Sequence, residues 1–198
     1  MDSNFIILLF LALLIAFIIY FFMIFNRLQS LRNGAEATLS QIRVAMKKRL
    51  DTIEQLVESI KSYARFESRT MERIIQIRSG IERAGPRDLQ RIEAESRGVL
   101  GSIYAVAESY PNLKTSESVI MAMNAIREIE DEIARHRYTY NNIIQEFNTM
   151  RDTYPSRLIA GGMPKLDYLS FEEDELRQAG YLTSEEIEPR RPEVKWNE

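Results

Sequence analysis

The chain has 198 residues, a formal net charge of −3 and hydrophobic residues at 45% of its positions. It contains no cysteine and a single histidine, His136. These counts exclude a disulfide framework, a thiolate nucleophile and a cysteine-ligated zinc or iron–sulfur centre. Nucleic-acid binding needs a strongly basic stripe, which this chain lacks, so no nucleic-acid partner is expected.

An apolar run of twenty-one uncharged residues, Phe5 to Phe25, lies close to the start of the chain. The hydrocarbon core of a bilayer is ~30 Å thick, so a helix crosses it with about twenty apolar residues. The run lacks the basic start and the small-residue cleavage site of a secretory signal. Residues 1–25 are therefore predicted to form a transmembrane anchor, with the lipid bilayer as a partner.

The charges that flank the apolar run indicate its orientation. Only Asp2 precedes the run, whereas Arg27 and Arg32 follow it closely. The positive-inside rule places such a basic flank in the cytoplasm. We therefore expect a single-pass protein of the cell membrane, with a short outer amino terminus and a cytoplasmic carboxyl-terminal domain.

Helical periodicity begins where the chain leaves the membrane and continues to Ile77. No proline or glycine interrupts it between Ala35 and Ser79, which predicts one helix over residues 26–79, continuous with the anchor and about 80 Å long. The next helix is too short to cover all of it, so an exposed apolar stripe is expected near the membrane, and such patches mark interfaces. This candidate association stripe comprises Leu28, Leu31, Ala35, Leu39, Ile42 and Met46. It predicts a homo-oligomer or docking to another membrane protein.

Two further long helices are predicted. Pro86 suits the first position of a helix that runs to about Ser109. Thr115 and Ser116 are candidate caps of a third helix that reaches Tyr154. Apolar residues recur every seven positions along this third helix, as in a coiled coil: Val119, Ile126, Ile133, Tyr140, Phe147 and Tyr154. Long helices joined by short breaks indicate an all-α, elongated antiparallel bundle.

The carboxyl-terminal segment differs in composition from the rest of the chain. Residues 172–198 carry nine acidic and four basic side chains, a net charge of −5, which leaves +2 for the remainder. Ser170 and Glu173 have the spacing of a capping box and predict a short fourth helix that ends near Gly180. The expected organisation is an anchor over 1–25, a helical bundle over 26–160 and an acidic, partly disordered tail over 161–198.

Two ionisable side chains lie on apolar seams of the predicted helices. Arg49 is expected to pair with an acid from another helix, because an unpaired buried charge is costly. His136 is interpreted as a histidine tolerated at the bundle edge, with a pH-sensitive group as the alternative. One histidine without cysteine argues against a metal site and against a Ser-His-Asp hydrolase, and no cofactor is expected.

The third helix and its carboxyl-terminal end carry a family resemblance. The matching residues are Ile133, Ala134, Arg137, Tyr140, Asn141, Phe147, Asn148, Thr149, Tyr154, Pro155 and Ser156, with Leu31, Arg32 and Asn33 upstream. This pattern resembles the LemA family of membrane-anchored helical proteins. The resemblance implies a single amino-terminal crossing, a four-helix bundle of the bromodomain-like kind and, among possible partners, a membrane metalloprotease. The family usually has a proline at Glu54, so a straighter first helix is expected here.

Four of these positions, Arg137, Tyr140, Asn141 and Asn148, form the polar strip typical of the family. Amide and guanidinium groups at the rim of a bundle can fix helix register, which is the favoured interpretation. A partner-recognition face is the alternative, because exposed polar clusters can mark binding sites.

Two functional hypotheses follow. The first is a non-catalytic, membrane-tethered bundle that serves as an interaction or scaffold module for membrane or envelope proteins. The second is a signal-relay rod, in which the first helix couples the anchor to the cytoplasmic bundle. An enzyme ranks third.

Overall fold

The computed structural model describes residues 3–60, 68–110 and 116–169, and these form five α-helices without a strand in the described ranges. The helices are α1 (Ser3–Ile60), α2 (Ser68–Ile81), α3 (Pro86–Ser109), α4 (Glu117–Asp152) and α5 (Arg157–Ala160). The predicted all-α helical bundle with an amino-terminal apolar helix is confirmed. The predicted helix beginning at Ser170 lies outside the described residues.

Helix α1 joins the apolar run to the bundle without a break over 58 residues. It contains one segment that is long and apolar enough to cross a membrane, and that segment is unburied within the protein. Burial begins at Leu28 and continues in steps of three and four to Ile60. The helix also passes Glu54 uninterrupted, as expected where proline is absent.

The prediction of a single helix over residues 26–79 is wrong, because α2 runs back along α1. Arg78 Nη1 donates to Glu54 Oε2 at 3.2 Å, and residues just after α2 contact earlier positions of α1. Arg43 Nε, for example, donates to the Ala84 carbonyl at 3.0 Å. Both helices bury the same kind of apolar stripe, so the periodicity reports a buried face and not an unbroken helix.

Helix α3 begins at Pro86, as predicted, and runs antiparallel to α2. The Gly85 amide donates to Asp88 Oδ2 at 3.4 Å, which satisfies one of the free donors at this helix start. Helix α4 begins after Ser116, whose hydroxyl lies 3.0 Å from that of Ser118 and makes no capping bond. Thr115, the other predicted cap, lies outside the described residues.

Helix α4 runs antiparallel to α1 along the bundle and returns to the end of the apolar run. Arg27 Nε donates to Glu146 Oε1 at 3.0 Å, next to the apolar run. Lys48 Nζ lies 3.7 Å from Glu132 Oε2 farther along the bundle. Because 36 residues are helical here, α4 spans most of the length of α1 beyond the apolar run.

The prediction that the stripe from Leu28 to Met46 is exposed is therefore wrong. Its six members are each at most 6% exposed. The expectation considered only the short second helix as a cover, whereas α4 packs along this part of α1. The stripe is the internal core of the bundle and offers no association surface.

The heptad seam of α4 is buried from Val119 to Phe147, whereas Tyr154 lies beyond the helix end and is 71% exposed. The buried face also takes in Arg137 and Ile144, which are seven residues apart. The buried face of α4 is therefore wider than a single seven-residue stripe, as in helices that pack into the core of a globular bundle.

Candidate functional site

A layer of buried polar side chains crosses the middle of the bundle. Arg49 comes from α1, Glu93 and Ser96 from α3, and Arg137 from α4; each is at most 4% exposed. Charged side chains are seldom fully buried unless they are paired. We call these four residues the buried charge layer.

Glu93 is the central acceptor of the buried charge layer. Its Oε1 accepts a hydrogen bond from Arg137 Nη1 at 3.0 Å and another from Arg97 Nη2 at 3.1 Å. Arg97 is partly exposed, whereas Glu93 and Arg137 are not. Charge-assisted bonds of this kind are about twice as strong as neutral ones, so Glu93 ties α3 firmly to α4.

Arg49 reaches the layer from α1. Its Nη2 donates to the Ser96 hydroxyl, which in turn donates to the Glu93 carbonyl at 3.0 Å. Its Nη1 lies 3.8 Å from Glu130 Oε1 on α4, so the predicted acid from another helix is present. The hydroxyl of Ser96 is nevertheless its nearest partner.

Burial lowers the pKa of the Arg49 guanidinium, while Glu93 and Glu130 act in the opposite direction. A guanidinium remains protonated at neutral pH even so, because its ordinary pKa lies above 12. Three guanidinium groups surround a single fully buried carboxylate here. The layer joins side chains of α1, α3 and α4, so its contribution is to fix how three helices pack.

A second group of polar side chains on α4 holds residues 161–168, which we call the C-terminal strap. Asn148 Nδ2 donates to the Leu166 carbonyl at 3.0 Å, and the Leu166 amide donates to Asn148 Oδ1 at 3.1 Å. The Tyr140 hydroxyl donates to the Asp167 carbonyl at 3.0 Å. Burial, followed by the charges of Asp167 and Glu36, raises the pKa of Tyr140 to about 12.

The strap belongs to the end of the bundle next to the apolar run. Buried residues from three elements form a small apolar cluster there: Leu28, Leu31, Phe147 and Ala160. Met163 and Leu166 of the strap pack against this cluster, as does Ile24 of the apolar run. Lys165 Nζ lies 2.6 Å from Asp152 Oδ2, and this contact holds the pKa of Asp152 below its usual value.

The model of the LemA family matches residues 38–181, which include the buried charge layer and the strap. The chain belongs to the LemA family. One similar protein is Protein LemA of Metamycoplasma hominis, which is 27% identical over 162 residues. That alignment covers 81% of this chain and 74% of the relative.

The five polar positions predicted from the sequence lie in or beside the two internal polar groups. Arg49 and Arg137 belong to the buried charge layer, and Tyr140 and Asn148 hold the strap. Asn141 is half-buried beside Tyr140. In this LemA-family bundle the polar strip thus works mainly between elements of the same chain.

His136 lies at the edge of the bundle, half-buried, with its Nε2 3.8 Å from Glu132 Oε1. The described part of the chain holds no group of three or more histidine, aspartate or glutamate side chains placed for a metal ion.

Sequence reasoning missed Glu93 as a member of the layer. Ser96 could be noticed as a polar residue in the apolar seam of α3. Glu93 lies one position beside that seam, and its burial depends on Arg137, 44 residues later in the chain.

Proposed function

We propose that this LemA-family protein is a membrane-anchored, non-catalytic interaction module that acts as a scaffold for other membrane or envelope proteins. The observation that supports it most is the unbroken α1, which carries the chain from the apolar run into the bundle core. A single helix lets an anchor hold its bundle at a defined distance from the bilayer. In this proposal the protein crosses the cell membrane once, with the bundle in the cytoplasm.

The end of the bundle farthest from the anchor offers a surface for partners. It is formed by the end of α3 and the start of α4, and we call it the distal end. Four large apolar side chains there are between 36% and 66% exposed: Tyr104, Tyr110, Ile120 and Met121. Aromatic residues and methionine are enriched at protein interfaces. We therefore place the partner contact at the distal end.

Photo-crosslinking in native membranes tests this proposal. A photoreactive residue replaces Met121, and a matched variant carries it at Gln145, which is exposed on the same helix near the anchor. We expect other membrane proteins to be captured at position 121 and not at 145. A membrane metalloprotease is one partner class that the family resemblance suggests. Recovery of this protein alone from both variants would contradict the scaffold role.

A signal-relay rod is the second candidate, and the continuity of α1 from the apolar run to Arg49 of the buried charge layer favours it. Polar layers can specify register between helices, and a relay needs two alternative packings. Spin-label distances between α1 and α3 measure whether two arrangements coexist in the full-length protein. A relay predicts two populations, reduced to one in Ser96→Leu, where Arg49 loses its hydroxyl partner. A single population in the unmodified protein excludes the relay.

A further inference from the structure

The end of α4 and the corner that follows it lie level with the end of the apolar run. Arg27 pairs with Glu146, and six further residues carry α4 about 9 Å toward the anchor. Ile24, which belongs to the apolar run, packs against the cluster that contains Phe147 and Ala160. The corner between α4 and α5 therefore lies beside the segment of α1 that enters the bilayer.

This corner exposes the two most accessible large apolar side chains of the described residues. Leu158 is 75% exposed and Tyr154 is 71% exposed, more than any member of the apolar run itself. The neighbouring apolar residues Met163 and Leu166 turn inward onto the cluster. Packing within the bundle leaves Leu158 and Tyr154 facing outward at the corner, and Tyr168 of the strap is also 47% exposed.

Exposed basic side chains lie beside the corner. The Arg157 guanidinium lies 5.7 Å from the centre of the Tyr154 ring, and Arg157 itself is exposed. The acidic Asp152 forms ion pairs with Arg151 and Lys165. An exposed tyrosine, leucine and arginine together match the headgroup region of a bilayer, where amphipathic aromatic rings and basic side chains are favoured.

We propose that the α4–α5 corner is a second membrane contact, in which Tyr154 and Leu158 enter the interfacial region of the bilayer and Arg157 meets lipid phosphates. The occupant is the lipid surface itself, because this corner continues the surface of the membrane-spanning part of α1. This inference rests on the anchoring given in the proposed function. It adds that the bundle lies against the bilayer and does not stand away from it on a free helix.

The consequence for the molecule is a fixed orientation of the bundle. If α1 alone held the bundle at the membrane, the bundle could rotate and tilt about that helix. A contact at the α4–α5 corner adds a second point of attachment beside α1. The C-terminal strap is held by α4 within this same end. The distal end is then directed away from the bilayer.

Depth-dependent fluorescence quenching tests the second contact on the full-length protein. The chain has no cysteine, so each introduced cysteine carries a unique environment-sensitive fluorophore. Leu158→Cys and Tyr154→Cys report on the corner. Met121→Cys is a matched control, because Met121 is also an exposed apolar side chain, 66% exposed. It lies about 46 Å along α4 from the carboxyl-terminal end of that helix. Each variant is reconstituted in vesicles of phosphatidylcholine and phosphatidylglycerol with brominated acyl chains.

We expect the probes at positions 154 and 158 to shift their emission to shorter wavelength and to lose intensity in brominated vesicles, while the probe at 121 does neither. If both corner probes behave like the one at 121, the second contact is refuted. A probe in Phe17→Cys, in the middle of the apolar run, separates the two proposals. Quenching at position 17 without quenching at the corner refutes only the second contact, whereas no quenching at 17 refutes the anchor as well. Far-ultraviolet circular dichroism identifies any variant that has lost its helices, and the remaining corner variant then decides.

Discussion

Replacing Glu93 by glutamine removes the only fully buried carboxylate of the charge layer while keeping the shape of the side chain nearly unchanged. Glu93 Oε1 accepts bonds from Arg137 at 3.0 Å and from Arg97 at 3.1 Å. Without the negative charge, Arg137 and Arg49 remain buried beside an uncharged amide, with the partly exposed Glu130 3.8 Å from Arg49.

Removing one partner of a buried ion pair costs about 3–5 kcal/mol. Arg97 is 35% exposed, so its share of the loss is small, below about 1 kcal/mol. Because glutamine retains an acceptor oxygen, we expect the lower end of the range for Glu93→Gln, about 3 kcal/mol. For a protein of this size that corresponds to a fall in Tm of about 6–12 °C.

Thermal unfolding of the full-length protein in detergent, followed by circular dichroism, measures this loss. Glu108→Gln, which removes an exposed charge from the same helix, is the matched control and should change stability by less than about 0.5 kcal/mol. Adding Arg137→Met to Glu93→Gln removes the guanidinium that donates to Glu93, so the two substitutions should be non-additive by more than about 0.5 kcal/mol. Equal Tm values for Glu93→Gln and Glu108→Gln would refute a stabilising role of the layer.

Three further substitutions test the strap and the core. Tyr140 has a pKa of about 12 in the folded protein, above the ordinary 10.0. Its contribution to stability is therefore fully present below pH 10 and is lost as the pH rises toward 12. Tyr140→Phe should be about 1 kcal/mol less stable at neutral pH and should lack this alkaline loss in denaturant titrations. Asn148→Ala removes both bonds to Leu166 and should speed hydrogen exchange at the Leu166 amide, whereas Gln145→Ala should not; unchanged exchange would mean that packing alone holds the strap. Leu39→Ala should cost about 2–5 kcal/mol without changing the mass measured by light scattering, because Leu39 is core and not interface, while Val44→Ala at an exposed site should cost less than about 0.5 kcal/mol.

The apolar pattern of the sequence was sufficient to find the buried faces of the helices. The three-and-four spacing from Leu28 to Met46 correctly marks one side of α1, and Pro86 marks the start of α3. Spacing alone does not say which element covers a face. The covering partner of the Leu28 stripe is α4, more than 100 residues later, so the local spacing does not show that the stripe is covered.

The chain reversal after α1 had no local signal either. Proline and glycine, the residues that usually mark a turn, are absent between Ile60 and Ser68. The apolar steps continue through Ile74 and Ile77 because α2 packs its own stripe against its neighbours. A continuous apolar pattern therefore does not establish a continuous helix.

Polar contacts between distant elements were the least predictable part. Asn148 and Tyr140 were recognisable as polar residues on a bundle helix, yet their partners are backbone groups of the strap, which the sequence presents only as a loop. Glycine and proline at Gly161 and Pro164 indicate irregular backbone but not where it packs. Such contacts depend on the assembled fold.

Cysteine labelling in intact cells tests the membrane-anchored topology most directly. Ser3→Cys and Ser109→Cys each introduce the sole thiol of the chain, at exposed positions before and after the apolar run. With a membrane-impermeant maleimide, Ser3→Cys should be labelled in intact cells, and Ser109→Cys only after the membrane is permeabilised. Labelling of both positions in intact cells, or recovery of the protein in the soluble fraction, would contradict a single anchor that holds the bundle in the cytoplasm.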